Sequence, residues 1–203
     1  LISLAMIMAG LIAVALTWAR PRKDVLWLSG AVLCDGIAHL AGFAWNVSGG
    51  EFRSPWVAGV VFLEYSSYTA WTCLLAEICP PLHRPIRWAA GVQLLLSLFV
   101  MGVWVTQLGL WADLAEWLIG NQVLGRVTVV AAVAVMLVTL SRRVGRETAV
   151  LALLALLMPL TISLYRLFPY WQRVSIGGQV IDTRYFARLA IATGVMAVLH
   201  ARY

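Results

Sequence analysis

Stretches of about 20 apolar residues, divided by short basic, proline-rich or glycine-rich breaks, follow one another along the whole chain. A helix of that length crosses the hydrocarbon of a bilayer with all its backbone hydrogen bonds made internally, which few other structures can do. The first stretch is Leu1–Ala19, ended by the cluster Arg20-Pro21-Arg22-Lys23-Asp24, and the second runs from about Val25 to Trp45. The loop Asn46–Ser54, with Gly49-Gly50, turns the chain into the third stretch, Pro55–Cys79, which the prolines of Pro80–Pro85 close. Trp88 to about Leu108 is the fourth, Asn121 to Leu140 the fifth, and Glu147–Phe168 the sixth, with a kink expected at Pro159. A long loop, Pro169–Val180, holds Gly177-Gly178 as a hairpin-type turn, and Asp182 or Thr183 caps a seventh helix running to Tyr203. Between the fourth and fifth, Gly109–Gly120 sets Trp111, Leu114 and Trp117/Leu118 on one side with Asp113 and Glu116 between, the pattern of a short interfacial helix.

The expected fold is therefore all-α, a single polytopic bundle of seven transmembrane helices over residues 1–203. Composition agrees: 62% of the residues are hydrophobic and 12% charged, against about 25% charged in soluble domains. Two hundred and three residues spent this way leave no room for a soluble catalytic domain, and no enzyme is expected in this segment. Apolar sequence beginning at Leu1 without a basic lead or cleavage site reads as an excerpt of a longer chain, not as a signal peptide.

Lysines and arginines orient the bundle. Arg20, Arg22, Lys23, Arg84, Arg87, Arg142, Arg143, Arg146 and Arg202 fall on one side, against Arg53, Arg173 and Arg184 on the other. By the positive-inside rule the N-terminus is outside and the C-terminus cytoplasmic. The formal charge of +6 thus reports topology, and no nucleic-acid partner is expected; the lipid bilayer is. Cys34, Cys73 and Cys79 lie in or at the end of spans, with no CxxC, and read as small buried hydrophobes.

Ionisable residues inside such spans carry the functional question, since a charge in hydrocarbon costs about 2.5–3.5 kcal/mol or more and takes a partner. Glu64 shares a helix face with Ser67, Tyr68 and Trp71, three, four and seven residues on. Asp35, His39, Gly42 and Asn46 form a polar stripe on the second span. Arg126, Arg166 and Arg188 lie toward the outer ends of the fifth, sixth and seventh. With Tyr68, Trp71 and Tyr165 these residues are expected to build an ion-pair network beneath the outer surface. Two roles stay open for it: a satisfied polar core that fixes helix register, or a pocket in which a surplus arginine takes a small anionic ligand.

Other chemistries fit less well. His39 and His200 sit at opposite depths and cannot share a haem, and the only lysine, Lys23, is in a loop, which excludes a retinal Schiff base in the last helix. No GxSxG, HExxH or matched nucleophile and base is present, so no catalytic residue, metal site or cofactor is expected.

Seven spans, an outside N-terminus, short loops, the basic turn Arg20–Asp24, the Pro159 span and the exit helix Phe186–Tyr203 resemble the membrane module of bacterial seven-transmembrane receptors with diverse intracellular signalling modules. The resemblance implies a sensory input domain in a bacterial inner membrane, whose last helix relays a stimulus to a cytoplasmic kinase, cyclase or serine phosphatase beyond Tyr203, with a homodimer formed through that region. A small-solute transporter or channel is the alternative, with Asp35, His39, Glu64 and Arg126 along a permeation path.

Overall fold

The computed structural model describes residues 2–19, 22–48, 55–106, 109–141, 147–154, 156–157, 173–176 and 179–201. Helices dominate: α1 (Ile2–Ala19), α2 (Lys23–Ser48), α3 (Pro55–Ile78), α4 (His83–Thr106), α5 (Gly109–Gly120), α6 (Val123–Ser141), α7 (147–154) and α8 (Thr183–Ala201). The fold is not purely helical. Strands β1 (Arg173–Ile176) and β2 (Gln179–Asp182) pair antiparallel, with Ile176 opposite Gln179 across the Gly177-Gly178 pair, which itself lies outside the described residues. The Val174↔Ile181 and Ser175↔Val180 partners show why: β-branched residues on both arms suit a pleated ladder better than a helix.

Local chemistry sets the helix ends. Asp24 accepts the Val25 N–H at 2.8 Å and places a carboxylate in the first turn of α2, where the helix dipole favours it. Pro55 opens α3, the position at which a missing N–H costs nothing. Beyond Ile78 the chain makes a short 3-10 turn, Pro80–Leu82, and re-enters a helix at once, so α4 starts five residues before the expected Trp88. Pro85 is tolerated there because it falls in the first turn. Gln122, at φ 48°, reverses the chain between α5 and α6, and its N–H is held by Ile119 O at 3.0 Å.

α3 is the central helix: residues 67–76 are buried without interruption. Two apolar cores flank it. Trp71, Leu74 and Leu75 pack with Leu28 of α2, Met6 of α1, Val135 of α6, Leu151 of α7 and Val195 of α8. Toward the other end, Tyr65 and Tyr68 meet Val100 and Val103 of α4, Ala115 and Leu118 of α5 and Leu124 of α6. α5 is helical as its pattern predicts, but Leu118 parts from the expected apolar side: it turns inward with Ala115, three residues before it, while Trp111, Leu114 and Trp117 stay exposed.

The interior is mainly apolar but also holds Ser29, Asp35, Thr72, Gln93, Ser97, Thr128 and Arg188, and the outside, unlike that of a water-soluble fold, exposes Leu4, Ile12, Phe43, Leu95, Val130, Leu137 and Leu140. Such apolar outer faces, extending over several helices, mark contact with lipid. Three helical stretches among the described residues are long and apolar enough to cross a membrane: Lys23–Ala44, Pro80–Thr106 and Val123–Ser141. α3, at 24 residues, is long enough but carries Glu64, Ser66, Ser67, Thr69, Thr72 and Glu77; enclosed by neighbours, it needs no apolar exterior. Ser3–Ala15 and Ala187–His200 are shorter apolar helices.

α1 crosses α2 closely at Gly10. A Cβ on Gly10 would stand 2.5 Å from Leu33 Cγ, so only hydrogen fits there.

Candidate functional site

The midpoint of α2 carries Asp35, 2% exposed, on the face turned toward α3 and α8. An isolated carboxylate there would be strongly disfavoured, and its counter-charge comes from the first turns of α8. Arg188 Nη1 donates to Asp35 Oδ1 at 2.8 Å, and Nη2 reaches Glu64 Oε1 of α3 at 3.4 Å. The two contacts differ in kind. Asp35 and Arg188 have side chains 3% and 6% exposed, but the Glu64 side chain is 39% exposed. One guanidinium therefore ties three helices, with a short buried arm and a longer arm at a partly open carboxylate.

The α3 face expected from spacing surrounds this cluster. Ser67, buried one turn after Glu64, lies against Asp35, but its hydroxyl is not in hydrogen-bonding geometry with any described group. Tyr68, 3% exposed, lays its ring against Gly125 of α6, where a Cβ would sit 3.6 Å from Cζ. Trp71 is 1% exposed and central to the larger core, and its indole N–H finds no acceptor among the described residues. His39, one turn above Asp35, has Nδ1 2.9 Å from Ser3 Oγ, which joins α2 to α1.

Asp35, Glu64 and Arg188 are brought together, with Tyr68 and Trp71 alongside. Arg126 is not among them: it opens α6 with its side chain exposed and forms no ion pair among the described residues. A guanidinium near a helix end gains more from water than from a site whose acids are already engaged. Arg166, Tyr165 and Pro159 lie outside the described residues. Among the described residues two carboxylates, Asp35 and Glu64, share the one guanidinium of Arg188.

Two arrangements escaped the reading by spacing. Gln93 of α4 donates Nε2 to Leu124 O at 2.7 Å and to Thr128 Oγ1 at 2.9 Å, and Thr128 is 3.0 Å from Thr72 of α3. Thr72 also lies 3.0 Å from Tyr68 O, and either threonine hydroxyl can donate to the other, so a chain of hydrogen bonds joins α4, α6 and α3. At the far end of α3, Glu77 pairs with Arg87 and lies 3.5 Å from His83, while Arg87 stands 5.5 Å from the Trp27 ring centroid. Neutral residues such as Gln93 and Thr128 carry no signal of their own in an apolar run. Glu77 and Arg87 are separated by a proline break that hides their proximity.

Arg22, paired with Asp24 at 2.7 Å, also reaches the Leu199 carbonyl at 3.5 Å. The start of α2 is thus beside the end of α8, and the two helices run antiparallel. No group of three or more metal-binding side chains occurs among the described residues, and all three cysteines are free. Comparison with protein families, curated proteins and solved structures finds no match to the chain.

Proposed function

We propose that the chain is a seven-span membrane sensory module, N-terminus outside, whose last helix carries a stimulus to a cytoplasmic effector. The observation that supports this reading is the position of Arg188. The only described ion pairs between the body of α8 and the rest of the bundle converge on its guanidinium, so the seating of α8 depends on the charge state and occupancy of Asp35 and Glu64. The antiparallel run of α2 and α8, joined by Arg22 at the opposite end, is the relation that a second and a seventh span have in this topology.

A stimulus shifts a two-state bundle only through unequal affinity for the two packings. Glu64 is where that inequality is supplied, because its carboxylate is partly open and its contact with Arg188 is the longer one. The partly open carboxylate, shared with one guanidinium, makes a proton or a small cation the stimulus we assign. Neutralising Glu64 releases one arm of Arg188 and leaves the guanidinium to Asp35, which reseats α8 against α2. The module itself performs no chemistry in this scheme.

Paired spin labels at the exposed positions Ile37 of α2 and Thr193 of α8, in protein reconstituted into liposomes, test the idea. Lowering the pH, or replacing Glu64 by Gln, is expected to shift the interlabel distance without solute or proton flux. Distances that ignore both changes would make the cluster a structural fastener, and pH-driven flux through the liposomes would make the chain a transporter.

A further inference from the structure

The outer face of α4 changes character along its length in the order of a phospholipid's own parts. Arg84, Trp88, Val92 and Leu95 succeed one another at spacings of four, four and three, so they share one face. All four are exposed, Trp88 at 79% and Leu95 at 68%. The opposite face, Ile86, Ala90, Gln93, Ser97 and Val100, is buried in the bundle. A cation, then an indole, then aliphatic side chains match a phosphate, the glycerol-ester level and an acyl chain in turn.

The head of this stripe opens into a cleft of about 620 Å³ beside the Pro80–Leu82 turn, lined by Glu77, His83 and Arg84 among prolines. Its charge is not balanced. The Glu77 carboxylate is engaged by Arg87 and faces His83, while Arg84 forms no ion pair among the described residues. The stretch Pro80–Thr106 is itself long and apolar enough to cross a membrane, which sets the cleft at the level of the headgroups.

The geometry points to a binding site for one anionic phospholipid, its phosphate held by Arg84 and His83 at the start of α4, Trp88 at the ester level and its acyl chain along Val92 and Leu95. Arg84 supplies the preference for negative headgroups, and the apolar stripe supplies the preference for a lipid over a free phosphate. This site is separate from the Asp35–Glu64–Arg188 cluster, and it stands whether or not that cluster senses anything.

Native mass spectrometry of the full chain, released from bilayers of equal parts phosphatidylglycerol and phosphatidylcholine, tests the assignment. The protein is expected to retain one phosphatidylglycerol in preference to phosphatidylcholine. Arg84→Gln should lower that preference about fivefold, as loss of one interfacial cation implies. Arg126→Gln, which removes an exposed arginine elsewhere, should leave it unchanged. Trp88→Ala should reduce retention of both lipids. Equal retention of the two lipids by the unaltered protein, an Arg84→Gln variant that keeps its preference, or an equal loss in Arg126→Gln would overturn the site. Displacement of the lipid by millimolar inorganic phosphate would overturn the lipid assignment in favour of a plain anion site.

Discussion

Arg188 and Asp35 are 153 residues apart in the chain and 2.8 Å apart in the fold. Five further helices and a hairpin lie between their two helices in the chain. A pair so separated and so buried makes the seating of α8 a report on the whole bundle.

Breaking the pair from one side leaves a buried charge uncompensated. Arg188→Ala or Asp35→Asn is expected to destabilise the bundle by about 3–5 kcal/mol, measured by reversible unfolding in mixed micelles. The double variant Asp35→Leu with Arg188→Leu should recover most of that loss, because it removes both desolvation penalties together. A double variant as unstable as the sum of its parts would mean the pair is not the main interaction at either position.

Glu64 should behave differently from its neighbour. With a 39% exposed side chain and a 3.4 Å contact, its pairing is heavily screened, and Glu64→Gln is expected to cost at most about 1 kcal/mol. A loss as large as that of Asp35→Asn in the same unfolding assay would show that Glu64 is part of the structural fastener and not an adjustable arm.

The Gln93–Thr128–Thr72 chain makes a test of coupling. Thr128→Val removes the middle link, and Gln93→Leu removes both the donor and an amide oxygen that has no partner among the described residues. Each single change should cost roughly 0.5–2 kcal/mol, as interhelical hydrogen bonds in membranes do. The double variant should lose less than the sum, since both changes break the same link. Additive losses in the double-mutant cycle would disprove the chain.

Two glycines separate close packing from chain stiffness. Gly10→Ala puts a Cβ 2.5 Å from Leu33, with the Leu33 backbone N at 3.2 Å, and is expected to cost about 1–3 kcal/mol through overpacking. Gly59, mid-way along α3's first half, has nothing within 4 Å of its would-be Cβ. Gly59→Ala should therefore stabilise by about 0.5–1 kcal/mol, by restricting the unfolded chain. Thermal unfolding of the two variants side by side decides it, and the same sign for both would contradict the packing described.

Periodicity and punctuation made most of the helices legible. Asp24, Pro55 and Pro80–Pro85 act within a few residues of themselves, and so their effects can be read locally. The extent of α4 was not legible, because Pro85 reads as a stop and is in fact accommodated in a first turn that begins at His83. The hairpin arms were missed for a similar reason: four residues a side are too short for a period to declare itself, although the glycine pair between them did.

In the candidate site, the Glu64–Ser67–Tyr68–Trp71 face and the Asp35–His39 stripe were visible because helical spacing places side chains without reference to any neighbour. Charge type also told that Asp35 and Glu64 needed partners. Sequence alone thus determined the apolar stretches, the polar faces and the need for counter-charges. Only the tertiary structure decided that Arg188 meets both acids and that Arg126 stays at the surface. The reason is that pairing depends on which helices are neighbours and at what depth they cross, and these follow from the packing of distant segments, not from any spacing within one.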